Sequence, residues 1–461
     1  MTQARSLAAL LSVALLALAG CADSPRGAPP EPRPLGAGLP AFQAPNDPAA
    51  RVPEEALPRE PEGTLTLREA LALALMRNPE LAAFSWETRA AEARALQAGL
   101  PPNPELGIDL EDFAGTGTQA GFKGAQLALQ LSQVVELGGK RLKRARAAQC
   151  ERDLAAWDYE AKRLDVYTQT AQAYVELLAA QERQALAQDT LRLAERAFAV
   201  VAERVRAGKV SPVEESKARV AQTTARVAAQ RAESDARTAR RALAATWGAA
   251  TPSFTRVEGD LTPARPTPSF EDLARLLAQN PDLARWTAEM ALRRAVIDLE
   301  QAKAWPDVAL GGGVKNSWDI DERTGILGLS IPLPLFDRNQ GGILEARYRL
   351  AKSEEERRAI EVRVMTELYR THQALAQAHS EAAALQSEAM PAAQSAFDGA
   401  QEGYQRGKWG YLEVLDAQRT LFDVRAQWID ALARYHKALA DTERLIGQGL
   451  DSVAASPVAR N

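Results

Sequence analysis

The sequence predicts a mainly α-helical protein with a small membrane β-barrel, built from a duplicated unit in which a strand pair leads into a long coiled-coil hairpin. Three observations carry this. The chain repeats itself at a spacing of about 200 residues. Each copy contains long stretches almost free of proline and glycine. Each copy also contains two short segments in which apolar residues alternate with polar or small ones.

The N-terminus comes first. Arg5 precedes the apolar run "LAALLSVALLALAG", which closes at Leu18-Ala19-Gly20-Cys21. A stretch this short, ended by small residues, reads as a secretory signal over residues 1–20 rather than a spanning helix. Its ending resembles the lipobox of bacterial lipoproteins, which implies that Cys21 is lipidated and becomes the mature N-terminus. Ala22 stands where that pattern places the aspartate of inner-membrane retention, which favours the outer membrane. Residues 21–62 follow, with proline, glycine and alanine as in "RGAPPEPRPLGAGLP". Such a composition buries little apolar surface and predicts an extended tether.

Composition excludes several classes. The 56 basic and 60 acidic residues leave a formal charge of −4, which gives no footprint for nucleic acid. With Cys21 acylated, Cys150 is the remaining cysteine and no intrachain disulfide forms. The 3 histidines, His372, His379 and His436, offer little for a metal centre or imidazole catalysis. No glycine-rich phosphate loop follows a strand, and carboxylate spacings follow helix faces. The chain is therefore expected to be no enzyme, with no cofactor and no bound metal.

The repeat orders the rest. Asn78-Pro79-Glu80-Leu81 matches Asn280-Pro281-Asp282-Leu283, an offset of 202, and the same offset carries Pro104-Glu105-Leu106 onto Pro306-Asp307-Val308. Further along, "RAGKVSPVEE" from Arg206 answers "QRGKWGYLEV" from Gln405 at an offset of 199. The first repeat spans 63–261, with strands about 105–113 and 124–134 and a helical hairpin over 139–247. The second spans 262–447, with strands about 307–315 and 325–334 and a hairpin over 342–446; residues 448–461 form a flexible tail. The return helices space apolar residues by three, four and seven: Val213, Val220 and Val227 in the first repeat, Leu421, Trp428, Leu432, Tyr435 and Leu439 in the second. That spacing predicts a coiled-coil stripe.

In the strands, Leu127, Leu129 and Leu131 alternate with Gln126, Ala128, Gln130 and Ser132, and Leu327, Leu329, Ile331 and Leu333 repeat the pattern. Leu106, Ile108, Leu110 and Val308, Leu310 alternate likewise. A half-buried soluble sheet gives the same period, but the signal and the lack of any other spanning segment point to a membrane barrel. Transmembrane barrels begin at about eight strands, so four per chain require several chains to share one. Between strand and helix, "PLFDRNQGG" reads as a junction: Pro332 and Pro334 stop pairing, Asp337 or Asn339 caps, and Gly341-Gly342 turn the chain.

The duplication, the strand pairs and the two hairpin turns together resemble the TolC-like outer-membrane efflux family, from about Leu65 to Gly447. Within it, "LSQVVELGGKRLKR" from Leu131 and "IPLPLFDRNQGGILEAR" from Ile331 are similar to the heavy-metal class, the outer-membrane factor lipoproteins of cobalt-zinc-cadmium and copper-silver resistance. The resemblance implies a homotrimer with a shared twelve-strand β-barrel in outer-membrane lipid and a trimeric α-barrel tube in the periplasm. It implies a passive duct for exported substrate, heavy-metal cations in this class. Its partners would be a periplasmic adaptor (membrane fusion) protein and an inner-membrane RND-type pump.

The resemblance also assigns residues. Gly208, Lys209, Gly407 and Lys408 match the adaptor-facing hairpin tips, Glu413 and Asp416 the carboxylates of a periplasmic gate closed like an iris, and Tyr404 a latch. Trp409 and Gly410 depart from the polar residues frequent after that turn. Locally, Ser211-Pro212-Val213-Glu214 reads as a capping box with proline at the first helical position, and Glu413 holds the same third position as Glu214. Asp416 has Lys217 as its counterpart, so no shared local role explains it. A drug-efflux or type I secretion channel is the alternative within the family. A periplasmic coiled-coil adaptor or scaffold lipoprotein is the alternative of another class; adaptors carry one hairpin in a β-rich domain, whereas this chain has two in tandem and four strands.

Overall fold

A computed structural model describes residues 31–50, 53, 57–262 and 266–451. The signal peptide, Cys21 and the tail beyond Asp451 lie outside the described residues. In chain order the elements are β1 (Thr64–Leu65), α1 (Leu67–Arg77), α2 (Pro79–Ala98), β2 (Glu105–Glu111), β3 (Gln126–Val135), α3 (Lys140–Arg206) and α4 (Pro212–Ala245). The second half repeats them as β4 (Arg256–Val257), α5 (Phe270–Leu276), α6 (Pro281–Lys303), β5 (Val308–Ser317), β6 (Glu322–Ser330), α7 (Gln340–Ala384), α8 (Met390–Gln405) and α9 (Tyr411–Ile446). Among the described residues no helix is long and apolar enough to cross a membrane.

The chain divides into two compact units. One comprises Ala91–Asp153 and Leu292–Arg347 and holds a four-stranded antiparallel sheet in the order β2-β3-β5-β6. Ile108 stands opposite Leu129, Leu129 opposite Val314, and Leu310 opposite Leu329. This register stacks the leucines of all four strands on one face, as the period-two pattern requires. The junctions that follow the two strand pairs are built differently. After β3, the Leu137 amide and Lys140 Nζ both donate to Asp307 Oδ1, at 3.1 and 2.7 Å, and Arg144 grips Glu136. After β6, Asn339 takes the left-handed turn at φ 56° and its amide group donates to the Glu300 carbonyl and carboxylate. The left-handed residue there is Asn339 and not Gly341 or Gly342, because an asparagine tolerates that region while reaching across to Glu300.

The other unit comprises Glu31–Ala90, Leu154–Ala291 and the chain from Tyr348 on. Asn78 and Asn280 play one role in both repeats: each accepts the amide of the third residue on, Leu81 or Leu283, and each Nδ2 donates to a carbonyl at a hairpin's end, Thr246 or Leu445. These are N-caps that also lock the short helices to the returning arm. The two hairpins meet through α3 and α9, where Gln172 binds Asp441, Glu176 Lys437 and Arg183 Asp430. His436 bonds the Leu261 carbonyl and His372 that of Pro268, so both rings hold the connector between repeats.

Three expectations shift. The tail read as flexible from 448 starts within the fold, since Leu450 is buried and its amide donates to Glu443 Oε1 at 2.9 Å. Residues 31–50, read as tether, are partly fastened: the Arg33 amide donates to Glu160 Oε1, the Leu35 amide to the Gly447 carbonyl, and the Ala44 amide to Ser85 Oγ. Proline and glycine here set a strap with turns at 35–38 and 48–49, and its backbone polar groups find partners on the helices. The stripe Val213-Val220-Val227 is exposed, and Ala218, Ala225, Ala229, Ala236 and Ala239 take the buried side of α4 instead. Alanine wins that side because its small volume lets neighbouring helices close in.

Candidate functional site

The two hairpin tips share one backbone motif. At the first, α3 ends and the amides of Gly208 and Lys209 donate to the carbonyls of Val205 and Arg204, both at 2.9 Å. At the second, Gly407 and Lys408 donate to Tyr404 and Gly403 at 3.0 and 2.9 Å. Gly208 and Gly407 adopt φ of 69° and 72°, the left-handed cap that satisfies the last carbonyls of an arm and reverses the chain. Gly208, Lys209, Gly407 and Lys408 are all exposed.

Beyond the turns the tips diverge. Ser211 Oγ accepts the Val213 amide at 3.3 Å and Pro212 opens α4. The acceptor serves the second helical amide, so this is a plain N-cap and not a capping box, and Glu214 Oε2 is buried without a hydrogen-bond partner among the described residues. Gly410 precedes α9 and offers no side-chain cap. Trp409 instead folds back on Gly403, where a Cβ would stand 2.7 Å from its ring.

Tyr404 and Tyr411 are buried side by side, ring centroids 5.7 Å apart. Their hydroxyls have no hydrogen-bond partner among the described residues, and burial, then the neighbouring Tyr404, pushes the Tyr411 phenol up to about 12. What holds Tyr404 is Arg204 of the first hairpin, whose guanidinium lies 4.5 Å over the ring and whose Nη1 donates to the Tyr404 carbonyl. That cation–π clamp joins the hairpins within one chain, and sequence reasoning missed it; an arginine aligned with the glycine at 403 was the available signal. Glu413 and Asp416 are exposed on one face of α9, and neither forms an ion pair among the described residues. No group of three or more His, Cys, Asp or Glu residues placed to hold a metal occurs among the described residues.

The sheet presents two unlike faces. Leu106, Ile108, Leu129, Leu131, Val314, Leu327 and Leu329 are exposed on one, with Leu327 reaching 92%. Asp109, Gln130, Gly311, Gly313, Lys315 and Thr324 lie on the other. Phe113, Phe122 and Trp318 sit at one end of the strands and Trp305 and Phe336 at the other, all exposed. β2 and β6 are the outer strands, each with one unpaired edge.

The family model for "Outer membrane efflux protein" matches residues 70–249 and 273–448, the two repeats in turn. The chain belongs to this family. The outer membrane efflux protein described here is 36% identical over 424 residues to the cobalt-zinc-cadmium resistance protein CzcC of Cupriavidus metallidurans, covering 90% of this chain and 99% of that one. It is 29% identical to the nickel-cobalt-cadmium resistance protein NccC of Alcaligenes xylosoxydans xylosoxydans, over 64% of this chain and 65% of that one. In fold it matches the solved CusC channel with a TM-score of 0.73 at 18% identity, covering 93% and 99% of the two chains. It is thus an efflux protein of the outer membrane and not an enzyme.

Proposed function

We propose that three copies of this chain form one passive duct through the outer membrane, the exit of a tripartite pump that expels heavy-metal cations. The observation that carries the reading is the four-stranded sheet with an exposed apolar face, a polar face and two open edges. A sheet of that kind is stable in lipid only when its edges are paired, and three copies supply twelve strands. The aromatic residues at both strand ends suit the two interfaces of a bilayer. Lipid on Cys21 would add a second attachment.

The tips are the ends presented to a periplasmic adaptor and, through it, to an RND-type inner-membrane pump. Exposed Lys209 and Lys408, each just after a left-handed glycine turn, offer repeated docking points. Glu413 and Asp416, repeated threefold, would ring the periplasmic mouth with carboxylates, favouring cations over anions. Tyr404, clamped by Arg204, is the hinge between hairpins in this reading, so iris opening would break that contact. The similarity to CzcC favours metal cargo over drugs or secreted protein.

Two measurements test this. A deletion strain should lose tolerance to zinc, cobalt or cadmium; sensitivity to dyes and antibiotics alone would refute the metal cargo. In a planar bilayer, the double variant Glu413→Ala/Asp416→Ala should conduct more and discriminate less for cations. Unchanged conductance and selectivity would remove both residues from the gate.

A further inference from the structure

We infer that residues Ser330–Leu333 complete a strand against β2 of a second copy, with Ile331 opposite Leu110 and Leu333 opposite Ile108. The inference rests on the trimeric reading above and adds the partner edge and its register. It starts from an inequality between two duplicated strands. Ile108 opposes Leu129, and their counterparts Leu310 and Leu329 oppose each other, so β3 maps onto β6 at an offset of 200 while β2 maps onto β5 at 202. β3 runs on to Val135, yet β6 stops at Ser330, the counterpart of Gln130. The difference is the neighbour: the last residues of β3 pair with β5, Leu131 opposite Gly312 and Val135 opposite Val308, whereas the matching edge of β6 has no strand beside it among the described residues.

Transposing that pairing through the two offsets places Ile331 on Leu110, Leu333 on Ile108 and Ser330 on Glu111. Two independent requirements are then met. The first is facing: Ile331 and Leu333 continue the alternation of Leu327 and Leu329 on the apolar face, where Leu110 and Ile108 also lie. At 44% and 75% exposure they are apolar residues without cover in one chain. The second is hydrogen-bond phase. The Trp318 amide donates to Ala125, so odd-numbered residues of β3 bond toward β5 and even-numbered ones toward β2. It follows that Leu106, Ile108 and Leu110 turn their backbone groups to the free edge of β2, and odd-numbered residues of β6 to its own free edge. Pro332 and Pro334 fall on the even positions, facing β5 beyond the end of its ladder at Ala309. The missing proline amides therefore cost nothing at the new edge, where Ile331 and Leu333 keep theirs. The Leu335 amide donates to the Leu333 carbonyl at 2.8 Å, which ends the strand.

The test is thiol cross-linking of the full-length protein in detergent and in outer membranes, beside its mass by light scattering. Glu111→Cys/Ser330→Cys and Asp109→Cys/Pro332→Cys create opposed, non-hydrogen-bonded pairs with close Cβ atoms. Each should give a reductant-sensitive covalent trimer, and Glu111→Cys/Gly328→Cys, slipped by two, should give far less. A trimer by light scattering that cross-links only in the slipped pair, or in neither matched pair, overturns the register and leaves the duct intact. A monomer by light scattering overturns both.

Discussion

The two hairpins are copies of one unit, and they differ most where the second departs from a plain helix. The first rises as a single α-helix of 67 residues, whereas the second is interrupted by a π-turn over Leu385–Ala389, just before Pro391. Buried Leu177 and Leu375 stand 198 apart, but Phe198 and Phe397 stand 199 apart, so the second arm carries one extra residue between them. The wide turn absorbs that residue and also accommodates a proline that has no amide to donate. A proline that would break one arm is thus built into the other.

Moving the proline sharpens this comparison with the largest effect. Arg192 is the counterpart of Pro391, in an unbroken helix where it pairs with Asp189. Arg192→Pro should cost about 3 kcal/mol or more, because it removes a helical hydrogen bond with no wide turn to take up the strain. Pro391→Ala should change stability by less than about 1 kcal/mol, since the turn is already paid for by the inserted residue. Thermal unfolding of both purified variants compares them; equal losses would mean that the π-turn does not relieve the proline.

The ends of the return helices differ as well. Ala244 near the end of α4 is fully buried, and its counterpart in α9 is Glu443, which accepts the Leu450 amide at 2.9 Å. Burial raises the Glu443 carboxyl to about 7, with Asp451 adding to the rise. The folded state therefore holds its proton more tightly than the unfolded chain, so this group's contribution to stability is greatest below about pH 4.5 and is lost as pH rises through about 7. Glu443→Gln should flatten that slope, and the difference between pH 5 and pH 8 should be on the order of 2 kcal/mol. Asp441, also raised by burial, contributes in the same direction and is left intact. Parallel pH profiles for the two proteins would exclude Glu443.

Much of this was legible in the sequence because the duplication turns each observation into two. The strand alternation, both glycine turns and the asparagine-proline starts at 78–79 and 280–281 follow from residue type and local geometry. What escaped depends on long-range choices. The valines of α4 have coiled-coil spacing but face outward, since periodicity names a stripe without saying which side is covered within one chain. The strap at 31–50 has a tether's composition, and partners distant in sequence, among them Glu160, Arg163, Ser85, Leu75 and Gly447, fix it. Arg204 reads as one more surface cation until the second hairpin brings Tyr404 beneath it.

The caps give a smaller contrast. Ser211→Ala should cost about 1 kcal/mol by stripping the side-chain acceptor from the first turn of α4. Gly410→Ser should gain only a few tenths of a kcal/mol, because glycine is already a fair N-cap. A new Cβ there would meet the Glu413 carboxylate at 3.0 Å, the mobile end of a side chain that can swing aside. Denaturant midpoints of the two variants should move in opposite directions; a Gly410→Ser loss as large as that of Ser211→Ala would show that Glu413 already caps the helix.

Asp416 separates fold from function most cleanly, since the equivalent place in the first hairpin holds Lys217. Both side chains are exposed on the first turns of a return helix, and neither forms an ion pair among the described residues. Asp416→Lys should therefore shift stability by no more than about 0.5 kcal/mol, the usual range for an exposed site without partners. If the carboxylates ring the mouth of a trimer, the same change replaces three negative charges by three positive ones at its narrowest place, and the ratio of cation to anion permeability should fall or invert. Reversal potentials under a salt gradient read that ratio directly, and unfolding midpoints read the fold. A variant that unfolds early would mean that Asp416 has a structural partner in the assembly; one that folds normally and keeps its ion preference would place the selective charge elsewhere along the duct.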